Sequence, residues 1–186
     1  MRGPLFIAAA ASLWGLWSLF FKSAERAAGA VPLTARAESF IIMGVMAAAL
    51  MPLALRDWRR AAPRPRGAWA RVCVIGAFDA LNILCFLTAM QQTTVAIAVL
   101  THYLAPLFVA ALAPVALHEP WRARTLAALV VGTGGLLLLL QPWSATWSSA
   151  AATAHALGAA LGAVSALFYA LSVLLQKRLI DGFSPF

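Results

Sequence analysis

Acidic residues are scarce in this chain: six Asp and Glu stand against fourteen Lys and Arg, and charged residues of either sign make up only 11%. So little charge cannot cover the surface of an ordinary soluble domain. Cysteine is nearly missing too. Cys73 and Cys85 fall within one helical stretch, about 18 Å apart by helical rise, too far to bridge, so they read as small apolar residues. The three histidines, His102, His118 and His155, are scattered. There is no HExxH, paired-cysteine, GxSxG or phosphate-binding P-loop motif, so no catalytic residue, metal site or cofactor is expected, and an ATP-driven pump on this chain is disfavoured. Short internal repeats of about 20–50 residues are absent as well.

What is present is apolar. Hydrophobic residues make up 63% of the chain and the mean hydropathy is +0.86. Six long stretches, residues 5–21, 33–55, 72–90, 95–117, 126–140 and 154–175, approach or exceed the lower part of the range, about 20 residues, that a helix needs to cross the hydrocarbon core. A soluble core could not bury them all. The first stretch follows Arg2 as a signal peptide would, but it is long, carries Trp14 and Trp17 and is followed by five more, which favours a retained helix. The net charge of +8 could suggest nucleic acid. Residues that attract phosphate should gather on one soluble face, however, and these sit between the apolar stretches.

Their distribution sets an orientation. One face receives Arg2, then Arg56, Arg59, Arg60, Arg64, Arg66 and Arg71, then Arg122, Arg124, Lys177 and Arg178, eleven of the fourteen; the other receives Lys22, Arg26 and Arg36. The N-terminus and the linker over residues 56–71 are therefore expected in the cytoplasm, with the linker against anionic headgroups. Arg36 and Glu38 lie near the outer end of the second stretch, where snorkelling accounts for both.

Short connections imply antiparallel neighbours. Gln91-Gln92-Thr93-Thr94 turns the chain between the third and fourth stretches, and His118-Glu119-Pro120 between the fourth and fifth. Pro120 suits a helix entry, and Glu119 reads as a cap facing the positive end of the fifth helix. Small residues mark close packing: Gly158 and Gly162 form a GxxxG pair extended by Ala154 and Ala166, and Ala128, Gly132 and Gly135 do the same on the fifth stretch. The Gly158/Gly162 face is also a candidate surface for association with another helix.

The sixth stretch loosely repeats the first, residues 166–175 against 12–21, each followed by basic residues and a proline, Pro185 and Pro32. Five helices separate the two starts, and an odd-numbered unit re-enters the membrane from the opposite side, so a second copy would be inverted. The chain stops where the second copy of helix two should begin, as expected of a truncated ten-helix protein. Residues Gly76-Ala77-Phe78-Asp79-Ala80-Leu81-Asn82, Ala89-Met90-Gln91-Gln92-Thr93-Thr94-Val95-Ala96, Leu100-Thr101-His102-Tyr103-Leu104-Ala105-Pro106 and His118-Glu119-Pro120 together resemble the first EamA-type repeat of the drug/metabolite transporter superfamily. The resemblance covers residues 5–140 as one repeat and 154 onward as the start of the next. It implies a ten-helix permease of two inverted five-helix halves in a bacterial inner membrane, often an exporter of amino acids, drugs or other small metabolites.

The polar residues inside the stretches are few. Asp79 is the only acid well inside a span, where a carboxylate normally faces a bundle interior or a water-filled cavity. Asn82 shares its face at i+3. In a tight hairpin about residues 91–94, residue numbers summing to about 184 lie at one depth, which sets Asn82 level with His102 and Asp79 with Ala105. Pro106 lacks an N–H and so leaves the His102 carbonyl without its helical partner, a helix break of the kind that transporters place beside substrate. Asp79, Asn82 and His102 are thus candidate substrate-binding residues, with Trp14, near the middle of the first stretch, as an aromatic wall and Asp79 as a candidate for proton coupling. The competing view is that the three satisfy one another as a structural network. Tyr103 points about 100° away from His102 and should face another helix or lipid.

The expected fold is all-α: a multispan transmembrane bundle of about six helices, comprising one five-helix inverted-repeat unit over residues 1–141, an external loop over 142–153 and the first helix of a second repeat over 154–186. The expected function is a secondary transporter of small metabolites working by alternating access, with small-molecule substrate and lipid as its partners. The alternative is a non-transporting structural or assembly protein, or an inactive fragment of a transporter. A channel is disfavoured because no stretch carries the repeated polar stripe of a continuous pore.

Overall fold

The computed structural model describes residues 34–60, 67–118, 120, 123–140 and 149–180, with Ser12, Ser23 and Gly29 as isolated positions. These residues are helical wherever they are regular: α1 (Ala35–Arg60), α2 (Ala68–Gln92), α3 (Val95–His102), α4 (Ala105–Leu117), α5 (Ala123–Leu140) and α6 (Ser149–Ile180). The first apolar stretch, Trp14 and Glu119 lie outside the described residues. Four segments are long and apolar enough to cross a membrane, Ala35–Arg56, Trp69–Gln92, Val95–Leu117 and Ala152–Leu179, and the described chain is an all-helical membrane bundle. Large apolar side chains such as Phe40, Met46, Val115 and Val131 stand exposed on it, as expected where the surrounding solvent is hydrocarbon.

α6 is the hub. It packs along α2 and also against α3 and α4, while α1 rests on α2 and α5 packs mainly against α3 and α4. Its buried stripe, Gly158, Gly162, Ala166, Ala170 and Leu174, recurs every fourth residue, the spacing that keeps side chains on one face of a helix. The small residues allow contact at backbone range. A Cβ on Gly158 would strike the Thr93 side chain and come within 3.2 Å of the Thr93 backbone nitrogen; one on Gly162 would strike Thr101 Oγ1 and lie 3.1 Å from the Ala98 carbonyl oxygen. The face that the sequence offers for association with another helix is therefore covered by the chain's own α2–α3 corner. The fifth-helix stripe departs from expectation. A Cβ at Gly132 or Gly135 meets nothing within 4 Å, and Ala128 is exposed, because this side of α5 is turned away from α3 and α4.

Three helix ends also differ from the sequence reading. α1 runs through Pro52 to Arg60, so the first arginines of the basic linker sit on its last turns, where cations complement the negative end of the helix dipole. α6 starts at Ser149, inside the expected 142–153 loop, because Ala150-Ala151-Ala152 favours helix. The corner after α2 has only two residues, Thr93 and Thr94, with the Thr94 hydroxyl accepting from the Ile97 N–H at 3.3 Å as an N-cap. Near this end the Ala35 N–H donates to Gln91 Oε1 at 3.1 Å, tying α1 to α2. Glu38 is buried, 8% exposed, which corrects the snorkelling assignment for that residue; Arg36 is exposed as expected.

Candidate functional site

The fourth apolar stretch is interrupted where Pro106 predicts. α3 ends at His102, two turn residues follow, and α4 starts at Ala105 with Pro106 in its first turn. The Tyr103 N–H still reaches the Val99 carbonyl at 2.9 Å, the Leu104 N–H tightens to the Thr101 carbonyl at 3.2 Å, and Phe108 resumes the ladder to Leu104 at 3.0 Å. Pro106 has no N–H to give to His102. The break therefore puts a distorted backbone and an imidazole at one level of the bundle.

His102 does not pair with Asn82 or Asp79. Its Nδ1 lies 2.7 Å from the Ser165 hydroxyl on α6, and its ring sits between Phe86 of α2 and Tyr169 of α6, with centroids 4.7 Å and 5.9 Å away. The two-residue corner explains the difference in register. With the pivot at Thr93–Thr94, His102 falls beside Phe86, one turn nearer the corner than Asn82. Tyr103 is 53% exposed, consistent with its pointing away from the site.

Asp79 is held by α6 as well. Its Oδ1 accepts a hydrogen bond from the Ser172 hydroxyl at 2.6 Å, and Gln176 Nε2 donates to the same hydroxyl oxygen at 2.9 Å. Ser165 and Ser172 are both fully buried and, seven residues apart, share a face about 10 Å along the helix. Asn82 stands between the two bonds. In the antiparallel register that sets Asp79 against Ser172, it faces the level of Tyr169, and its buried Oδ1 has no hydrogen-bond partner among the described residues. The three candidates thus share one region without hydrogen bonds to one another, contrary to the competing view of a closed network among them. Two are bonded to α6, and the buried oxygen of the third has no partner among the described residues.

Sequence reasoning missed Ser165, Ser172 and Gln176. Their signal was present: two serines at i and i+7 in an otherwise apolar helix, continued by a glutamine at i+11. It missed a further contact near the corner, where Thr93 Oγ1 and His155 Nδ1 lie 2.7 Å apart and join α2 to the start of α6. Thr101 instead turns its hydroxyl to its own helix, donating to the Ile97 carbonyl at 2.8 Å. Among the described residues no three His, Cys, Asp or Glu side chains come together as a metal site. The region offers a carboxylate, an amide oxygen and an imidazole beside a helix break, groups that bind a polar solute by hydrogen bonds and charge.

Comparison with known proteins places this architecture. The family profile described as the EamA-like transporter family matches residues 1–141. The chain belongs to that family. An uncharacterized transporter from Archaeoglobus fulgidus is 31% identical over 137 residues, covering 74% of this chain and 44% of the relative. This EamA-like chain therefore spans less than half the length of the curated relative it matches. No solved structure matches it. The family match ends before α6 begins, so the serines that engage Asp79 and His102 come from the segment after the matched unit.

Proposed function

We propose that this EamA-like chain forms the substrate-binding half of a secondary transporter that moves small metabolites across a bacterial inner membrane by alternating access, with Asp79, Asn82 and His102 at the site. The observation that carries this reading is the partner choice of the polar groups: Asp79 and His102 bond across to α6, which follows the matched unit and which we read as the first helix of an inverted second half. Transporters built from inverted repeats place substrate near the midplane at the repeat interface, beside interrupted helices, and the α3–α4 break supplies such a place. The bonds are of the right strength for a moving interface, since interhelical hydrogen bonds in membranes are worth roughly 0.6–2 kcal/mol each. Trp14, outside the described residues, remains a candidate aromatic contact for the substrate.

A structural or assembly role is the second reading, favoured by the fact that Asp79 and His102 both find partners within the chain. Asn82 argues against it, because a helix-joining network gains nothing from a buried amide oxygen without a donor. Reconstitution into vesicles separates the two. Transport predicts metabolite flux that is lost in Asp79→Asn or His102→Ala protein incorporated at unchanged levels. Parent and variants that are equally silent, with the variants less stable, would favour the structural role.

A further inference from the structure

We propose that the chemical group read by this half of the site is a protonated amine: Asn82 Oδ1 and the Asp79 carboxylate together accept the N–H donors of a small, cationic, amine-bearing solute. The inference rests on the transport reading above and adds the substrate class.

Donor accounting leads to it. Gln176 Nε2 can only donate, so the Ser172 oxygen is the acceptor in that bond, and the single hydroxyl hydrogen of Ser172 is left for Asp79 Oδ1. The Asp79 carboxyl is thereby oriented by a neutral partner. Among the described residues no Lys or Arg pairs with it; Arg71, Lys177 and Arg178 lie toward helix ends and are exposed. Three residues along the same face, Asn82 presents a buried oxygen that no group in the described structure donates to. Ser165, the neighbouring hydroxyl on α6, already directs its hydrogen to the Gly162 carbonyl at 3.0 Å. Among the described residues the Asp79–Asn82 face is therefore surplus in acceptors, and the complement of a carboxylate beside an amide oxygen is positive and rich in donors. A primary ammonium supplies three donors and a charge from one atom. A hydroxyl could satisfy Asn82 but leaves the carboxylate uncompensated, and a carboxylate ligand opposes both groups.

The test uses detergent-solubilised protein and four probes of one carbon skeleton at neutral pH: 3-methylbutylamine, 3-methylbutanol, 3-methylbutanoate and the trimethylated form of the amine, which keeps the charge and loses the donors. Binding is followed by tryptophan fluorescence and by calorimetry. The signal is the part lost on substitution, so partitioning into detergent cancels. The amine should bind at least about tenfold more tightly than the alcohol or the trimethylated cation, and the carboxylate should not bind. Asp79→Asn should reduce the amine to the level of the alcohol. Asn82→Leu, which removes the orphaned oxygen, should abolish the preference for primary over trimethylated cation while raising the thermal stability of the ligand-free protein. If Asn82→Leu does not fold, Asn82→Ala reads the same preference. Alcohol or carboxylate binding that equals the amine's and depends on Asp79 would overturn the amine assignment while keeping the site. Binding of all four probes that is indifferent to both substitutions would overturn it as well. Amine binding that follows the variants, in a protein that moves nothing across vesicles, would sustain this proposal and remove the transport reading.

Discussion

Replacing Gly162 with alanine tests the physical basis of the bundle most directly. In an isolated helix the change is favourable by about 1 kcal/mol, because alanine loses less backbone freedom than glycine. Here the added methyl would strike Thr101 Oγ1 and approach Thr101 Cβ at 3.0 Å and the Ala98 carbonyl oxygen at 3.1 Å. Two of those atoms are backbone or next to it, so they cannot swing aside as the tip of a long side chain would. Overpacking of this kind costs about 1–3 kcal/mol. Set against the gain in propensity of about 1 kcal/mol, the expected net loss is about 0–2 kcal/mol, up to a factor of about 30 in the folding equilibrium. The displacement would also be felt at Ser165, one turn further along, where the bond to His102 is 2.7 Å.

The assay is reversible unfolding in mixed micelles with increasing SDS, read by tryptophan fluorescence, with two internal controls. Gly134 has nothing within 4 Å of its Cβ position, so Gly134→Ala should be neutral or stabilising by up to about 1 kcal/mol. Thr101→Ala removes the oxygen that is struck. Its hydroxyl bonds only to carbonyls of its own helix, at 2.8 Å and 3.1 Å, so the single substitution should cost little. The double variant Gly162→Ala/Thr101→Ala should recover about 1 kcal/mol of coupling. Equal effects at positions 162 and 134, or no relief from Thr101→Ala, would refute the claim that backbone-range contact at α3 and α6 sets the stability of the bundle.

Three further outcomes are expected. In protein lacking Cys73 and Cys85, a single cysteine at position 177 should resist membrane-impermeant maleimide in intact cells while one at position 92 reacts; the opposite pattern would reverse the orientation drawn from the arginine count. Asp79→Asn removes the titratable group proposed both to couple protons and to hold the amine, so pH-driven uphill transport should disappear; unchanged accumulation would make Asp79 structural. Thr93→Val, which removes the hydroxyl partner of His155 Nδ1 but keeps the branched shape, should destabilise the fold by about 0.6–2 kcal/mol in the same SDS titration, and an unaltered midpoint would mean that the His155 contact is not part of what holds α6 to the corner.

Much of this architecture could be read from residue types alone because the bilayer constrains them so strongly. A run such as residues 95–117 has no alternative to a spanning segment, and a proline at position 106 breaks its helix at a predictable carbonyl. Asp79 was legible for the same reason, as a lone deep acid needs a partner or a cavity. What could not be read was which helix supplies the partner. The hairpin argument paired α2 with α3 because they are adjacent in sequence, yet both give their polar groups to α6, some 63 and 93 residues away. A serine in an apolar helix commonly satisfies itself on its own backbone, as Ser39 does with the Ala35 carbonyl at 2.7 Å. The i, i+7 spacing puts Ser165 and Ser172 on one face, but neither serine marks which helix it reaches. The fifth-helix glycines misled in the opposite direction, since a small-residue stripe permits close approach without specifying a neighbour.

The two kinds of contact along α6 have different mechanical properties, and their separation along one helix bears on how a site here can change. Toward the start of α6, Gly158 and Gly162 meet Thr93, Ala98 and Thr101 at distances where backbone opposes backbone, and such packing neither slides nor opens gradually. Toward its end, the union with α2 is a hydrogen bond from Ser172 to Asp79, set by Gln176, whose loss water or a ligand donor can compensate. Beyond it the side chains of Leu112, Val115, Leu171 and Leu175, with Arg178 at one end, line a mostly apolar groove between α4 and α6. Asn82, without a partner, lies on the exchangeable side of the glycine contacts. A solute that satisfies Asn82 and Asp79 would therefore compete with the Ser172–Asp79 bond that joins α2 to the later part of α6 and leave the glycine-packed end untouched.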